Sequence, residues 1–297
     1  MDFKDHKLET SELSVNYLRE GRGPPLILLH GWPEFGRAWK ENIPALAEHF
    51  DVIVPELRGF GGTRRRDGKP VENTTADILT NDLKEFLDAM SIDRVSIVSH
   101  DVGAYVAQGF ARAYPDRTAA LFFFDCPYAG VGTRWGEAAH LKEMFYQYFH
   151  QWPMAEELVG YNRDTCRIYF KHFLTRWAAD PHVFDKDLEL WVDNFMKPGN
   201  IKGGMEWYRG ALAMRLKWIT EGAPKVEPIA CPTRVFWGEK DNIAKIEWAD
   251  NLGDYFSDLK FSPAPGAGHF VHYEKPEMSN AEMRNFFIPL ATGNRWK

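Results

Sequence analysis

The sequence predicts an α/β fold: a mostly parallel, twisted sheet with helices on both faces and an inserted all-helical cap. Three observations carry that expectation. Apolar runs at 26–29 (LILL), 52–55 (VIVP), 95–99 (VSIVS), 121–124 (LFFF) and 235–237 (VFW) have the near-continuous hydrophobicity of strands covered on both faces. Stretches of helical spacing lie between several of them, and that alternation builds parallel sheets. From about 130 to 222 the rhythm stops, and several helical patterns dense in Trp, Tyr, Phe and His follow one another without a buried strand. An unstructured loop of that length is improbable, so residues 130–222 are read as a helical lid between a first core part, 1–129, and a second, 223–297.

In chain order, an opening pair of strands is expected between Leu8 and Leu18, then PPLILL, a loop with Gly31 and Pro33, and a helix to about Phe50. Trp32-Pro33 is a candidate cis bond, since tight turns are where such bonds occur. Ile78, Leu79, Leu83, Phe86 and Leu87 mark a helix over Thr75 to Met90, with Thr74 or Thr75 as its cap. After the insertion come the strand TRVFWG, a helix from about Lys245 to Tyr255, the strand LKFS, the loop PGAGHFVH and a terminal helix ending near Leu290.

Composition narrows the function classes. A formal charge of -6 over 297 residues gives no general attraction to nucleic acid or acidic membranes. Arg64, Arg65 and Arg66 are read as a solvated face in a Gly-rich loop. Cys126, Cys166 and Cys231 form no close-spaced pair, and their odd number argues for reduced core thiols rather than a disulfide framework. The start, MDFKDHKLET, has no apolar signal core, and no run is long enough to span a bilayer. A cytoplasmic protein is expected.

The chemistry centres on SHDVG at 99–103. Ser99 and Gly103 are small, so strand and helix can close tightly around a strained Asp101 and present its carboxylate above the strand's carboxyl end. The plain alternative is that Asp101 merely caps the helix. In such a topology an acid and a histidine follow at later strand ends, which nominates Asp241 in WGEKDNI and His269 in GAGHF. Asp125 is the rival acid and His272 the rival histidine. The N–H groups of Trp32, in HGWPE, and Val102 could converge on one oxygen as an oxyanion hole.

HGWPE, RGFGGT, SHDVGA, GGMEWYRG, GEKDNI and GAGH, in this order over nearly the whole chain, resemble the α/β-hydrolase superfamily. Within it they resemble the Asp-nucleophile branch of epoxide hydrolases and dehalogenases. Three positions depart from the pattern: Ser99 for the usual glycine, Glu56 for an aspartate often found before RG, and Glu206 for an asparagine before WYR. The resemblance implies an α/β-hydrolase fold and an ester on Asp101. His269, oriented by Asp241 or Asp125, would activate the water that hydrolyses it, with no metal or organic cofactor. A carboxylate is anionic at neutral pH and attacks saturated carbon without a base to activate it.

The leaving group divides the branch. Haloalkane dehalogenases commonly cradle halide with a Trp after the nucleophile and an Asn after HG, where this chain has Val102 and Trp32. Fluoroacetate dehalogenases hold the substrate carboxylate with arginines one and four residues after the nucleophile, where this chain has Val102 and Tyr105, and the fluoride with a His-Trp-Tyr set, where the lid reads Tyr146, Gln147. The epoxide hydrolase pattern implies two lid tyrosines, Tyr146 and Tyr208, as donors to the opening ring, with Tyr148 in reserve. Trp32, Gln147, Phe149 and Trp207 are the expected pocket lining. The expectation is therefore hydrolysis of a small, apolar, neutral epoxide by water, in a chain that forms a homodimer or acts alone. Alternatives are a hydrolytic dehalogenase and a non-catalytic ligand-binding protein on the same scaffold.

Overall fold

The computed structural model of the protein describes residues 3–293. In order the elements are β1 (His6–Glu9), β2 (Leu13–Gly21), β3 (Pro25–Leu29), α1 (Ile43–Ala47), β4 (Asp51–Pro55), β5 (Arg64–Arg65), α2 (Ala76–Ala89), β6 (Val95–His100), α3 (Val102–Ala113) and β7 (Thr118–Phe124). An insertion of α4 (Leu141–Phe149), α5 (Pro153–Val159), α6 (Arg163–Trp177), α7 (Leu188–Phe195) and α8 (Asn200–Glu221) follows. Then come β8 (Thr233–Gly238), β9 (Leu259–Ala264), α9 (Val271–Glu274) and α10 (Pro276–Thr292).

The sheet runs β1-β2-β4-β3-β6-β7-β8-β9, with β5 on the side of β2. Strands from β4 to β9 pair in parallel, and only the β1–β2–β4 edge and β5 are antiparallel. Successive side chains point to opposite faces, which divides the core. Ile97, Leu121 and Val235 pack with α2, α3 and the insertion, whereas Val98, Phe122 and Phe236 pack with α1 and α10. α2 starts where expected, because Thr75 Oγ1 accepts the Ile78 N–H at 3.2 Å.

Three local expectations are corrected. The helix before β4 is only a 3-10 turn at Gly36–Trp39 and the five-residue α1, because Pro44 has no N–H and is tolerated only in a first turn. Residues Ile246–Asp254 form a 3-10 helix, held by buried Trp248 and Leu252 and weakened at its end by Gly253. Arg64 and Arg65 are not a purely solvated face. They pair with Ser14 and Leu13 as β5, with the Arg64 guanidinium donating to Thr63 O at 2.7 Å. All three cysteines are free, Cys126 and Cys166 buried and Cys231 half-buried.

The insertion lies directly on the sheet's carboxyl end. α8 begins beside Gly59, where a Cβ on Gly203 would fall 2.2 Å from the Gly59 carbonyl oxygen. Only glycine permits that approach, and it brings the face of α8 bearing Trp207 and Tyr208 down toward β3 and β6. Glu206, in place of asparagine, fastens the same helix by accepting the Asn73 N–H at 2.6 Å and pairing with Arg209.

Candidate active site

Four neighbouring strands each deliver one ionisable residue at their carboxyl ends: β6 Asp101, β7 Asp125, and, in the loops after β8 and β9, Asp241 and His269. This is the edge where parallel sheets collect chemistry. Asp101 turns from β6 into α3 at φ 47 and ψ -113, left-handed backbone that costs an L residue about 1–3 kcal/mol, and its side chain makes no capping bond. The carboxylate is aimed elsewhere. Its Oδ1 accepts the Trp32 N–H at 2.8 Å, and about 20% of the side chain is open.

Gly31 makes that bond possible. A Cβ there would lie 2.4 Å from the Asp101 Cβ, so any side chain would push HGWPE off the elbow. His30 fastens the same loop, its Nε2 accepting the Leu57 N–H at 3.0 Å. The Trp32-Pro33 bond is cis. Val102 opens α3, and first-turn N–H groups lack an intrahelical acceptor, which leaves a second donor beside the carboxylate.

His269 is buried, with Nδ1 2.8 Å from Asp241 Oδ2 and Nε2 3.9 Å from Asp101 Oδ2. A proton on Nδ1 shared with Asp241 leaves Nε2 as the acceptor facing Asp101. Burial works to lower the imidazole pKa, but Asp241 and then Asp101 outweigh it and hold it above its ordinary value. Asp241 is itself fixed, its Oδ1 accepting the N–H groups of Ile243 and Ala244 at 2.8 and 3.0 Å. Support of the turn at 241–244 and of the histidine thus coexist in one carboxylate. Asp125 accepts the Gly238 N–H at 2.7 Å, and burial together with the neighbouring Asp241 pushes its pKa well up.

Behind these groups lies a buried brace that sequence reasoning missed. Glu34 Oε2 accepts the Gly31 N–H at 3.0 Å and meets His100 Nδ1 at 2.7 Å, His272 Nε2 lies 2.9 Å from Glu34 Oε1 as an ion-pair contact, and His100 Nε2 meets the His269 carbonyl at 2.8 Å. His272 therefore faces Glu34 and Trp39, away from Asp101. Glu34, His100 and His272 have metal-ligand atoms within 4.8 Å of one another, but each is already engaged within the trio. Glu274 accepts the N–H groups of Gly268 and Phe270 and completes the support of the histidine loop.

The insertion supplies the opposite wall. Tyr146 lies flat on Trp32, with ring centroids 5.1 Å apart and planes 7° apart, and Tyr208 stands edge-on to both. Gln147 Nε2 donates to the Tyr146 hydroxyl at 3.1 Å. Burial first, and the Asp101 charge in addition, hold both phenols far above the ordinary tyrosine pKa, so both keep their protons. Trp207 packs on Tyr105 at 5.3 Å.

Phe149 is placed differently from the expectation. It lines an outer groove of about 410 Å³ with Phe145, Leu158, Ile168 and Tyr169. Helix geometry explains this: i and i+4 share a face, so His150 rather than Phe149 joins Tyr146 over Trp32. Burial pushes the His150 pKa down to about 3, and its Nε2 lies 2.6 Å from the Tyr169 hydroxyl. Tyr148 points outward. One further residue went unread in the sequence: Arg215 of α8, buried two turns beyond Tyr208.

A family model described as alpha/beta hydrolase fold matches residues 24–276. The chain is 30% identical over 292 residues to a soluble epoxide hydrolase of Corynebacterium sp. (strain C12), covering 96% of this chain and 97% of that protein. It is 25% identical to a fluoroacetate dehalogenase of Burkholderia sp., over 98% and 96% of the two chains. Among solved structures, the epoxide hydrolase CorEH without ligand superposes with a TM-score of 0.84 at 27% identity, covering 97% of this chain and 100% of that one.

Proposed function

The chain belongs to the alpha/beta hydrolase fold family, and on that premise we propose that it hydrolyses small epoxides to vicinal diols through an ester on Asp101. The observation that carries this reading is the placement of two proton-bearing phenols, Tyr146 and Tyr208, under the influence of one carboxylate held by the Trp32 N–H. A ring oxygen becomes an alkoxide on opening and needs a proton, which a phenol supplies.

In the first step Asp101 Oδ2 forms a bond to an epoxide carbon as that carbon's bond to the ring oxygen breaks. Tyr146 or Tyr208 protonates the oxygen. In the second, His269 Nε2 takes a proton from water, which attacks the ester carbonyl. Negative charge builds on Oδ1, where the Trp32 N–H already donates at 2.8 Å and the Val102 N–H is the second donor. Collapse breaks the Cγ–Oδ2 bond and releases the diol, the His269 imidazolium protonating the departing Oδ2 alkoxide, and the regenerated Asp101 carboxyl gives its proton through water to the tyrosine phenolate. Asp241 stabilises the imidazolium formed on the way, the orienting role of a triad acid.

Relatives named for epoxide hydrolysis support the reading. A dehalogenase of the same architecture is the second reading, favoured by the Burkholderia relative. The protein is placed in the cytoplasm, where three free thiols stay reduced. Among the described residues no helix is long and apolar enough to cross a membrane. Incubation with styrene oxide, a chloroalkane and fluoroacetate separates the readings. Diol without halide is the expected result, and halide without diol overturns it in favour of the second.

A further inference from the structure

Arg215 is only 7% exposed, and among the described residues it forms no ion pair. Its guanidinium lies 3.7 Å from the centre of the Trp135 ring, and Nη2 donates to the Tyr105 hydroxyl at 3.1 Å. Nε and Nη1 have no acceptor. Burying a cation without an anion is among the most expensive things a fold can do, and the usual compensation is a partner charge. None of the described residues supplies one here, while the ring stack and the Tyr105 bond fix the guanidinium plane.

Its location is that of the reaction. Tyr105 begins one turn after Asp101, roughly 6 Å of helix rise away, and its ring packs on Trp207, the neighbour of Tyr208. The Arg215 charge also acts on the Tyr146 phenol, and the Asp101 charge on Tyr105. A planar guanidinium with free N–H groups is the side chain best matched to a carboxylate.

We propose that Arg215 and Tyr105 form a carboxylate subsite, so that the substrate is a short epoxy acid of the glycidate type, its carboxylate within a few bonds of the ring. This rests on the epoxide reading above and replaces the neutral substrate expected from the sequence. The substrate anion takes the unpartnered Arg215 Nη1 and the Tyr105 hydroxyl, neutralises the buried cation and places the ring carbons at Asp101. Neutral epoxides react through the same steps without that anchor.

The test compares 3-phenylglycidate with 3-phenylglycidamide, and styrene oxide as a neutral control, by kcat/KM for diol formation. The wild-type protein favours the acid over the amide by about tenfold or more, the difference a charge-assisted pair supports. Arg215→Met and Tyr105→Phe reduce the acid-to-amide ratio, Arg215→Met to one or below, and Arg215→Lys restores part of it. If Arg215→Met does not fold, the wild-type ratio and calorimetric binding of phenylglycidate to the Asp101→Asn protein decide, with an expected preference over the amide in both. An acid-to-amide ratio of one or less with styrene oxide turned over overturns the subsite and leaves the epoxide reading standing. No diol from any of the three overturns the epoxide reading, and the calorimetry then decides the subsite by itself.

Discussion

Asp101, Asp241 and His269 stand where the backbone turns at the ends of neighbouring strands, whereas Tyr146, Tyr208 and Arg215 stand within helices of the insertion. The first wall is held by main-chain groups: Trp32, Ile243 and Ala244 N–H on the carboxylates, and the histidine loop by Glu274 and His100. The second is held by rings, with the ring centroids of Tyr146, His150, Phe173, Trp177 and Tyr208 all 4.8–5.6 Å from that of Trp32. Backbone-held groups tolerate no displacement, which suits the proposed making and breaking of the ester on this wall. Ring-held groups depend on helix phase, which suits the proposed roles of the other wall in proton donation and substrate choice.

Substitutions on the two walls should separate accordingly. Asp101→Ala has the largest effect, loss of at least about ten-thousand-fold in kcat/KM, because in the proposed mechanism Asp101 is the group that forms the ester. Asp241→Asn slows ester hydrolysis by about a thousandfold, while Asp125→Asn, at a carboxyl whose pKa is pushed up by burial and which accepts the Gly238 N–H, changes it less than about fivefold, the scale of a single hydrogen bond. Pre-steady-state kinetics that show ester formation largely intact in Asp241→Asn separate this from a folding defect. Should Asp125→Asn prove the slower of the two, the roles of the acids are reversed.

pH dependence sharpens the same point. His269 accepts a proton only when neutral, and its pKa is held above 6.5 by Asp241 and Asp101 against burial. Ester hydrolysis therefore falls as pH drops through a midpoint above 6.5. Removing the Asp241 charge lets burial dominate and moves that midpoint down, as a single-turnover pH profile would record. On the other wall, Tyr146→Phe and Tyr208→Phe each slow ester formation by about a hundredfold, the usual worth of a positioned acid, with ester hydrolysis unaffected. Phe149→Ala, in the outer groove, changes kcat/KM less than about twofold and provides the smallest effect.

The difference between the walls also explains what could be read from the sequence. SHDVG, HGWPE and GAGH are short because strained turns and close approaches restrict residue choice at each position, and Gly31 shows how narrowly. Tyr146 and Tyr208 came from the resemblance, not from spacing. On a helix rich in rings, one position's difference moves a side chain by about 100°, and Phe149 was expected where His150 lies. Arg215 carries no motif at all. Its significance comes from the missing partner charge, a property of three-dimensional surroundings. The same holds for Glu34, which is legible as part of HGWPE but not as the carboxylate in contact with two distant histidines. The short β5 escaped notice because two residues have no period.

The central claim is that a side-chain oxygen of Asp101 enters the product. A single turnover of excess enzyme in 18O-labelled water, with mass spectrometry of both diol and the peptide containing Asp101, tests it directly. The account predicts unlabelled diol in the first turnover and one 18O atom in the Asp101 carboxylate. Label in the first diol, with none in the aspartate, would contradict it.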